Sequence, residues 1–163
     1  MEDVEIEIGG YKVLISAGDA ERVMAHRWYK LGGNGRKSKI LPYFAHKTTW
    51  PEHKNELLHR FIVSCPVGML VDHINGNTLD NRRSNLRICT HAGNSQNRSM
   101  GKNNSSGYKC VYFDSRAKKK KWFSRIRVNR KPVYLGHFET PEKAYEAYVA
   151  ASKKYHGEFS CVV

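Results

Sequence analysis

The sequence predicts an α+β protein in which strands dominate the first third and one long helix closes the chain. Three observations lead there. Residues 4–8 (VEIEI) alternate acid with aliphatic, the period of a half-exposed strand. A polar stretch, NGNTLDNRRSN, lies between the short apolar runs MLVDHI and LRICT. Near the C-terminus, three strand-like runs precede a helix with clear start and stop signals.

Taken in order, VEIEI, the pair Gly9-Gly10 and YKVLIS read as a β-hairpin. Asp19 to Trp28 reads as a short helix, Leu31 to Lys39 as a glycine- and lysine-bearing loop, and Ile40 to Lys47 as a strand. The apolar segment LLHRFIV and a turn at Pro66-Val67-Gly68 follow. Next come a strand (MLVDHI), a long polar loop, a second strand (LRICT) and a short helix (HAGNSQNRS) with Thr90 at its N-cap position. That helix contains Gly93, Asn94, Ser95 and Asn97, all weak helix formers, so something outside it must hold it.

Residues 101–107 (GKNNSSG) form a polar linker. Beyond it, YKCVYFD, WFSRIRV and PVYLGHF read as strands, joined by turns at Ala117–Lys121 and Asn129–Lys131. In WFSRIRV, Trp122, Ser124, Ile126 and Val128 share one face, and Phe123, Arg125, Arg127 and Asn129 the other. The last helix starts with Thr140 as N-cap and Pro141 at the first helical position, and stops at Gly157. Ala144, Ala147, Tyr148, Ala151 and Tyr155 recur on one of its faces, where small side chains allow close packing on a sheet.

Charge narrows the partner. Among 163 residues, 28 Lys and Arg face 15 Asp and Glu, a net charge of +13. Residues 102–163 hold 14 basic and 5 acidic side chains, against 14 and 10 in residues 1–101. A polyanion is the expected partner, because a basic face binds phosphates without needing a particular sequence. No apolar run reaches the roughly 20 residues of a spanning helix, and MEDVEIEIGG is no signal peptide. A cytoplasmic protein without membrane contact is expected. Cys65, Cys89, Cys110 and Cys161 stand far apart, so reduced thiols are expected in place of a disulfide framework or a cysteine zinc site.

Cutting a phosphodiester requires a base for the attacking water and positive charge on the oxygens that become negative. Asp72-His73 offers a hard carboxylate ligand beside an imidazole suited to proton abstraction near pH 7. Neighbours on a strand point apart, so both serve one site only if the strand ends there, as Ile74-Asn75-Gly76-Asn77 suggests.

The run VDHINGNTLDNRRSNLRICTHAGN resembles the HNH family of homing and phage endonucleases, which share a ββα-metal motif. Asp72, His73, Asn77, Asp80, Asn81, Arg82, Asn85, Leu86, Arg87, Thr90 and Asn94 fall where that pattern has them. The resemblance implies His73 as general base and Asp72 and Asn94 as ligands of one divalent cation, Mg²⁺ or another such as Mn²⁺. It implies Asn85 as the asparagine that holds the loop, and 5′-phosphate and 3′-hydroxyl products. Many relatives carry histidine at the last motif position; asparagine there resembles the phage intron-encoded branch. His59 occupies the place of a recurring His-Arg pair and is a candidate supporting residue. Arg82, Arg83 and Arg87 could meet phosphates, Arg87 foremost, with a plain surface charge as the other reading of Arg83. His91 reads as solvated ahead of a ligand role, and Asn97 is a minor candidate for an extra contact.

Residues 104–163 resemble the Apetala-two-like domain of plant ethylene-response factors, carried by SGYKCV, W..RIRV, YLGHF, TPEKAYEAY and YHGEF. The resemblance implies a sheet packed on one helix and lying in the major groove of duplex DNA. Lys109, Trp122, Arg125 and Arg127 would be contacts, with Lys131 and Tyr134 as further candidates. Cys110 replaces a usual glycine, and Tyr112 stands where plant members have a DNA-reading arginine, so their recognition sequence does not transfer. For Lys118 to Lys121 a solvated cluster and phosphate binding both remain open.

Together these readings predict a ββα-metal nuclease core (57–100) with a β-rich N-terminal extension (1–56). After the linker comes a DNA-binding domain (108–163), a three-stranded antiparallel sheet packed on one helix. The expected function is metal-dependent cleavage of double-stranded DNA by a site-preferring endonuclease or nickase, a monomer with one cation per active site and no obligate protein partner. The rivals are a non-catalytic DNA-binding regulator keeping the HNH scaffold, and an RNA-binding module.

Overall fold

The computed structural model describes residues 3–31, 42–49, 51, 53–97, 100–101 and 103–160. The chain forms two compact units, residues 1–90 and 91–163. The expected loop at Leu31–Lys39 and the start of the Ile40–Lys47 strand fall largely outside the described residues, as does Cys161. Cys65, Cys89 and Cys110 are in no disulfide. No helix among the described residues is long and apolar enough to cross a membrane.

In the first unit, β1 (Asp3–Ile8) and β2 (Tyr11–Ser16) pair in register from Asp3↔Ser16 to Ile8↔Tyr11. Gly9 and Gly10 have φ of +57° and +79°, the two left-handed positions that a tight hairpin turn requires. Alternation sends Val13 and Ile15 inward, where both are fully buried. A 3₁₀ turn, Ala17–Asp19, leads into α1 (Ala20–Met24), shorter than the expected Asp19–Trp28. The Trp28 indole donates to the Val23 carbonyl at 2.7 Å, satisfying an end that a longer helix would have used.

β3 (Tyr29–Leu31), β4 (Tyr43–Lys47) and β5 (Asn55–Leu57) make an antiparallel sheet with β4 central. LLHRFIV forms α2 (Leu58–Val63), which buries Leu58, His59 and Ile62 and ends at Ser64 with φ +49°. β6 (Leu70–His73) follows. The stretch expected to be a continuous polar loop contains β7 (Asp80–Asn81), which pairs parallel with β2 (Leu14↔Asp80, Ile15↔Asn81). The β1–β2 hairpin is thereby knitted to the motif. β8 (Leu86–Cys89) returns antiparallel to β6. Ile8, Val13, Ile15, Val23, Phe44, Leu58, Ile62 and Leu86 form one core.

The second unit opens with α3 (His91–Gln96), so Thr90 does stand at its N-cap position. Its support is external: the Phe159 ring closes on the helix at Gly93, where an added Cβ would lie 3.1 Å from the ring and require it to shift by a few tenths of an ångström. β9 (Val111–Phe113), β10 (Trp122–Val128) and β11 (Lys131–Phe138) form an antiparallel sheet with β10 central, packed against α4 (Pro141–His156). The fold is mixed α+β, as expected.

Ser124 and Ile126 are buried while Arg125 and Arg127 are exposed, so the period-two reading of β10 holds. The Thr140 hydroxyl caps α4 by accepting from the Lys143 N–H at 3.3 Å, and Gly157 ends it. The helix buries Ala144, Tyr148, Ala151 and Ser152. Tyr155, expected on that face, is exposed beneath the Lys154 ammonium. Cys110 has φ +61°, the left-handed region that favours glycine, which accounts for the residue usual there in the resembling family.

Candidate active site

β6 and β8 are registered so that Asp72 faces Arg87 and His73 faces Leu86. β6 stops at His73, and the chain turns back through the Ile74 N–H to Asn85 carbonyl bond (2.9 Å) and the Gly76 N–H to His73 carbonyl bond (2.9 Å). Asp72 and His73 are consequently both buried at the end of the strand.

The amide of Asn81 orients the His73 ring. Asn81 Nδ2 donates to the Thr78 carbonyl at 3.0 Å, which leaves its Oδ1 as the atom facing His73 Nε2 at 3.3 Å. An amide oxygen only accepts, so His73 Nε2 carries the hydrogen, and in the neutral ring the lone pair sits on Nδ1. Burial lowers the His73 pKa from its ordinary value, against the Asn81 bond and the charges of Asp72 and Asp80, which raise it. The neutral, proton-accepting ring is the favoured form.

The His59 ring lies 5.3 Å from that of His73, and the Tyr43 ring lies 5.3 Å from His59 and 6.3 Å from His73. Burial first, then the positive charge of His73 and Arg60, pushes His59 down to about 3. At neutral pH it packs as an uncharged ring.

Asn85 is the centre of the loop. Its Oδ1 accepts from the Asn75 N–H (3.0 Å), and its Nδ2 donates to Asn75 Oδ1 (2.9 Å) and the Asp80 carbonyl (2.8 Å). Asn75 also donates to Asp80 Oδ2 at 2.9 Å, and the Asn77 N–H donates to Asn75 Oδ1 at 2.8 Å. Hence the polar residues that look like loop in the sequence satisfy one another in a network whose buried members are Asp80 and Asn85 and whose outer member, Asn75, is exposed.

The three arginines of the motif each make an ion pair within the first unit. Arg82 grips Asp80 with two bonds (2.7 and 2.6 Å) and reaches Asp3 at 2.8 Å. The bonds from Arg82 hold the Asp80 carboxyl below its usual range. Arg83 is no plain surface charge: it donates to both oxygens of the buried Asp19 at 2.7 Å and to the Ile62 carbonyl at 2.7 Å. Arg87 donates twice to Asp72 Oδ2, at 2.9 and 2.7 Å, with its side chain 11% exposed. Arg82 and Arg83 tie the motif to the N-terminal hairpin and α2, while Arg87 places a cation beside the candidate ligand.

In the second unit, Asn94 lies half-buried on α3 and His91 is exposed. His91, Ala92, Ser95 and Gln96 line a cavity of about 660 Å³ within that unit. Lys109, expected as a DNA contact, donates to the Gln96 carbonyl at 3.1 Å. Trp122 is half-buried on the same side of β10 as Ser124 and Ile126, edge-on to Phe113, and so does not share the face of Arg125 and Arg127. Arg125 lies 4.8 Å over the Tyr112 ring.

The sequence reading assigned no role to Asn81, Asp80, Asn75 or Tyr43. Asn81 and Asp80 stood in the motif run, but nothing along the chain marks Asp19 or Tyr43 as neighbours of it. A divalent cation fits the chemistry of the expected donors, since a carboxylate and an amide oxygen are hard ligands and Mg²⁺ keeps several waters. No group of three or more His, Cys, Asp or Glu suited to a metal occurs among the described residues.

The sheet and helix of residues 111–156 fit an Apetala-two-like architecture. Neither a curated protein nor a solved structure matches the chain significantly. Residues 64–96, from the end of α2 through β6 and β8 to α3, match the HNH endonuclease family.

Proposed function

We propose that this chain is a metal-dependent endonuclease that hydrolyses DNA phosphodiester bonds. The observation that carries the reading is His73: a buried imidazole with Nε2 held by Asn81, beside Asp72, inside the segment that matches HNH endonucleases. With its hydrogen on Nε2, the ring accepts a proton from water at Nδ1, and burial keeps it unprotonated near neutral pH.

Asp72 and Asn94 would hold the cation. A divalent ion such as Mg²⁺ or Mn²⁺, when bound, supplies the positive charge that phosphate oxygens and the leaving 3′-oxygen need. Arg87 contributes a second positive charge at Asp72, and Asn85 keeps the loop closed around His73. Arg125 and Arg127, exposed on one face of β10, carry the duplex-binding role, with 101–107 as the functional boundary. Site-preferring cleavage by a monomer, of the homing kind, is the finer form of this reading.

One observation favours a second reading. The Asp72–Arg87 ion pair satisfies the carboxylate without a metal, as a non-catalytic DNA-binding scaffold would require. Plasmid cleavage with Mg²⁺ or EDTA separates the two. His73→Ala is expected to lower the metal-dependent rate by about 10²- to 10⁴-fold with the circular dichroism spectrum retained. Equal cleavage by wild type and variant would remove His73 from the mechanism, and no cleavage by wild type under any divalent metal would favour the scaffold.

A further inference from the structure

The outer face of the C-terminal sheet carries more aromatic surface than phosphate binding calls for. Register places Tyr112, Phe123 and His137 in one row across β9, β10 and β11. Arg125 and Tyr134 are paired in the next row. The Tyr112 and Phe123 rings stack at 5.2 Å with planes 25° apart, and Phe123 lies 6.3 Å from Tyr134 and 5.5 Å from His137. The Tyr134 hydroxyl bonds His137, whose other ring nitrogen meets Asp114 at 3.3 Å, so this side of the row is braced. Tyr112 remains 37% exposed and Tyr134 57%.

Positive charge surrounds the rings. The Arg125 guanidinium lies over Tyr112, Arg127 is exposed one position further along the same face, and Lys118 to Lys121 are exposed in the connection that enters β10. Duplex DNA offers a protein the edges of its bases, because their faces are covered by neighbouring pairs. Exposed aromatic rings and a guanidinium plane match base faces, which only unpaired nucleotides present. Rows of aromatics on a sheet inside a basic surround are the arrangement that stacking on single strands requires.

We propose that the Tyr112–Phe123–Tyr134 face binds unpaired DNA bases by stacking, with Arg125, Arg127 and the lysine turn taking the backbone. This rests on the reading of the face as the DNA side of the molecule, and adds that its substrate includes a single-stranded stretch.

The test uses the full chain in EDTA and fluorescence anisotropy with a mixed-sequence single strand and the same sequence as duplex. Tyr112→Leu is expected to weaken single-strand binding between about five- and 150-fold, while Tyr112→Phe, which keeps the ring and loses the hydroxyl, stays within about twofold. Duplex affinity changes by less than about twofold in both, because backbone contacts are retained. Thermal melting checks the fold, and Phe123→Leu repeats the comparison should Tyr112→Leu melt early. The inference is overturned if Leu and Phe variants lose affinity alike, if neither loses any, or if duplex and single strand weaken together. Wild type that binds duplex but not single strand overturns the inference alone; wild type that binds neither overturns the DNA reading of the sheet with it.

Discussion

Around Asn85 in the first unit the buried side chains are largely polar, among them Asp72, His73, Asp80 and Asn81. Around Tyr148 in the second they are Ile126 and Ala151, with the half-buried Val133 and Leu135 packed against them. Both regions exclude water, but by different chemistry. The alanines of α4 lie against the sheet through shape and apolar burial, forces without direction that tolerate modest repacking. The loop between β6 and β8 is held by hydrogen bonds, each of which strands a partner when broken. A site that must aim an imidazole gains from the second kind of order, because an amide network sets orientation as well as position.

The comparison can be broken at its apolar side first. Tyr148→Ala removes the largest fully buried side chain of the second unit and is expected to destabilise it by about 3–5 kcal/mol. Hydrogen exchange over residues 91–163 reads the loss, and a cost under about 1 kcal/mol would mean that this core is not what holds the sheet to the helix.

Asn85→Ala comes next. It leaves the Asp80 carbonyl without the Asn85 donor and the Asn75 N–H without its acceptor, an expected cost of about 1–3 kcal/mol. Exchange of the Asn75 amide should quicken before that of the β1–β2 hairpin. Unchanged protection at Asn75 would show that the network is incidental.

The smallest effect sharpens the comparison through pH. His59 sits at about 3 and His73 also below its ordinary value, so the folded first unit resists protons that the unfolded chain accepts. Their contribution is therefore fully present above about pH 6.5 and is lost as pH falls towards 3. Asp80, held low chiefly by Arg82, adds a loss of the same sign at lower pH, once the unfolded carboxylate begins to protonate. Urea titrations of the first unit at pH 7 and 5 should show the decline, and His59→Phe should flatten it; an equal slope in that variant would place the titration elsewhere.

Much of this was legible along the chain. Alternation in VEIEI and WFSRIRV gives the right strands and the right faces, because a strand's period is two whatever surrounds it. Thr140, Pro141 and Gly157 bound α4 because caps are local chemistry. The motif run leads to Asp72, His73 and Asn85 as the residues to inspect. Less legible were α2, whose six apolar and basic residues suit more than one element, and β7, two polar residues whose pairing with β2 has no local cause.

What the sequence determined by itself is the class of fold, the basic second unit and the segment that matches HNH endonucleases. These follow from short-range periodicity, composition and spacing. Only the tertiary structure decided that Arg83 closes on Asp19, 64 residues away, that Arg87 is spent on Asp72, and that Asn81 sets which nitrogen of His73 bears the hydrogen. Hydrogen bonds and ion pairs between distant residues depend on where the whole chain brings them, and no local pattern encodes that meeting.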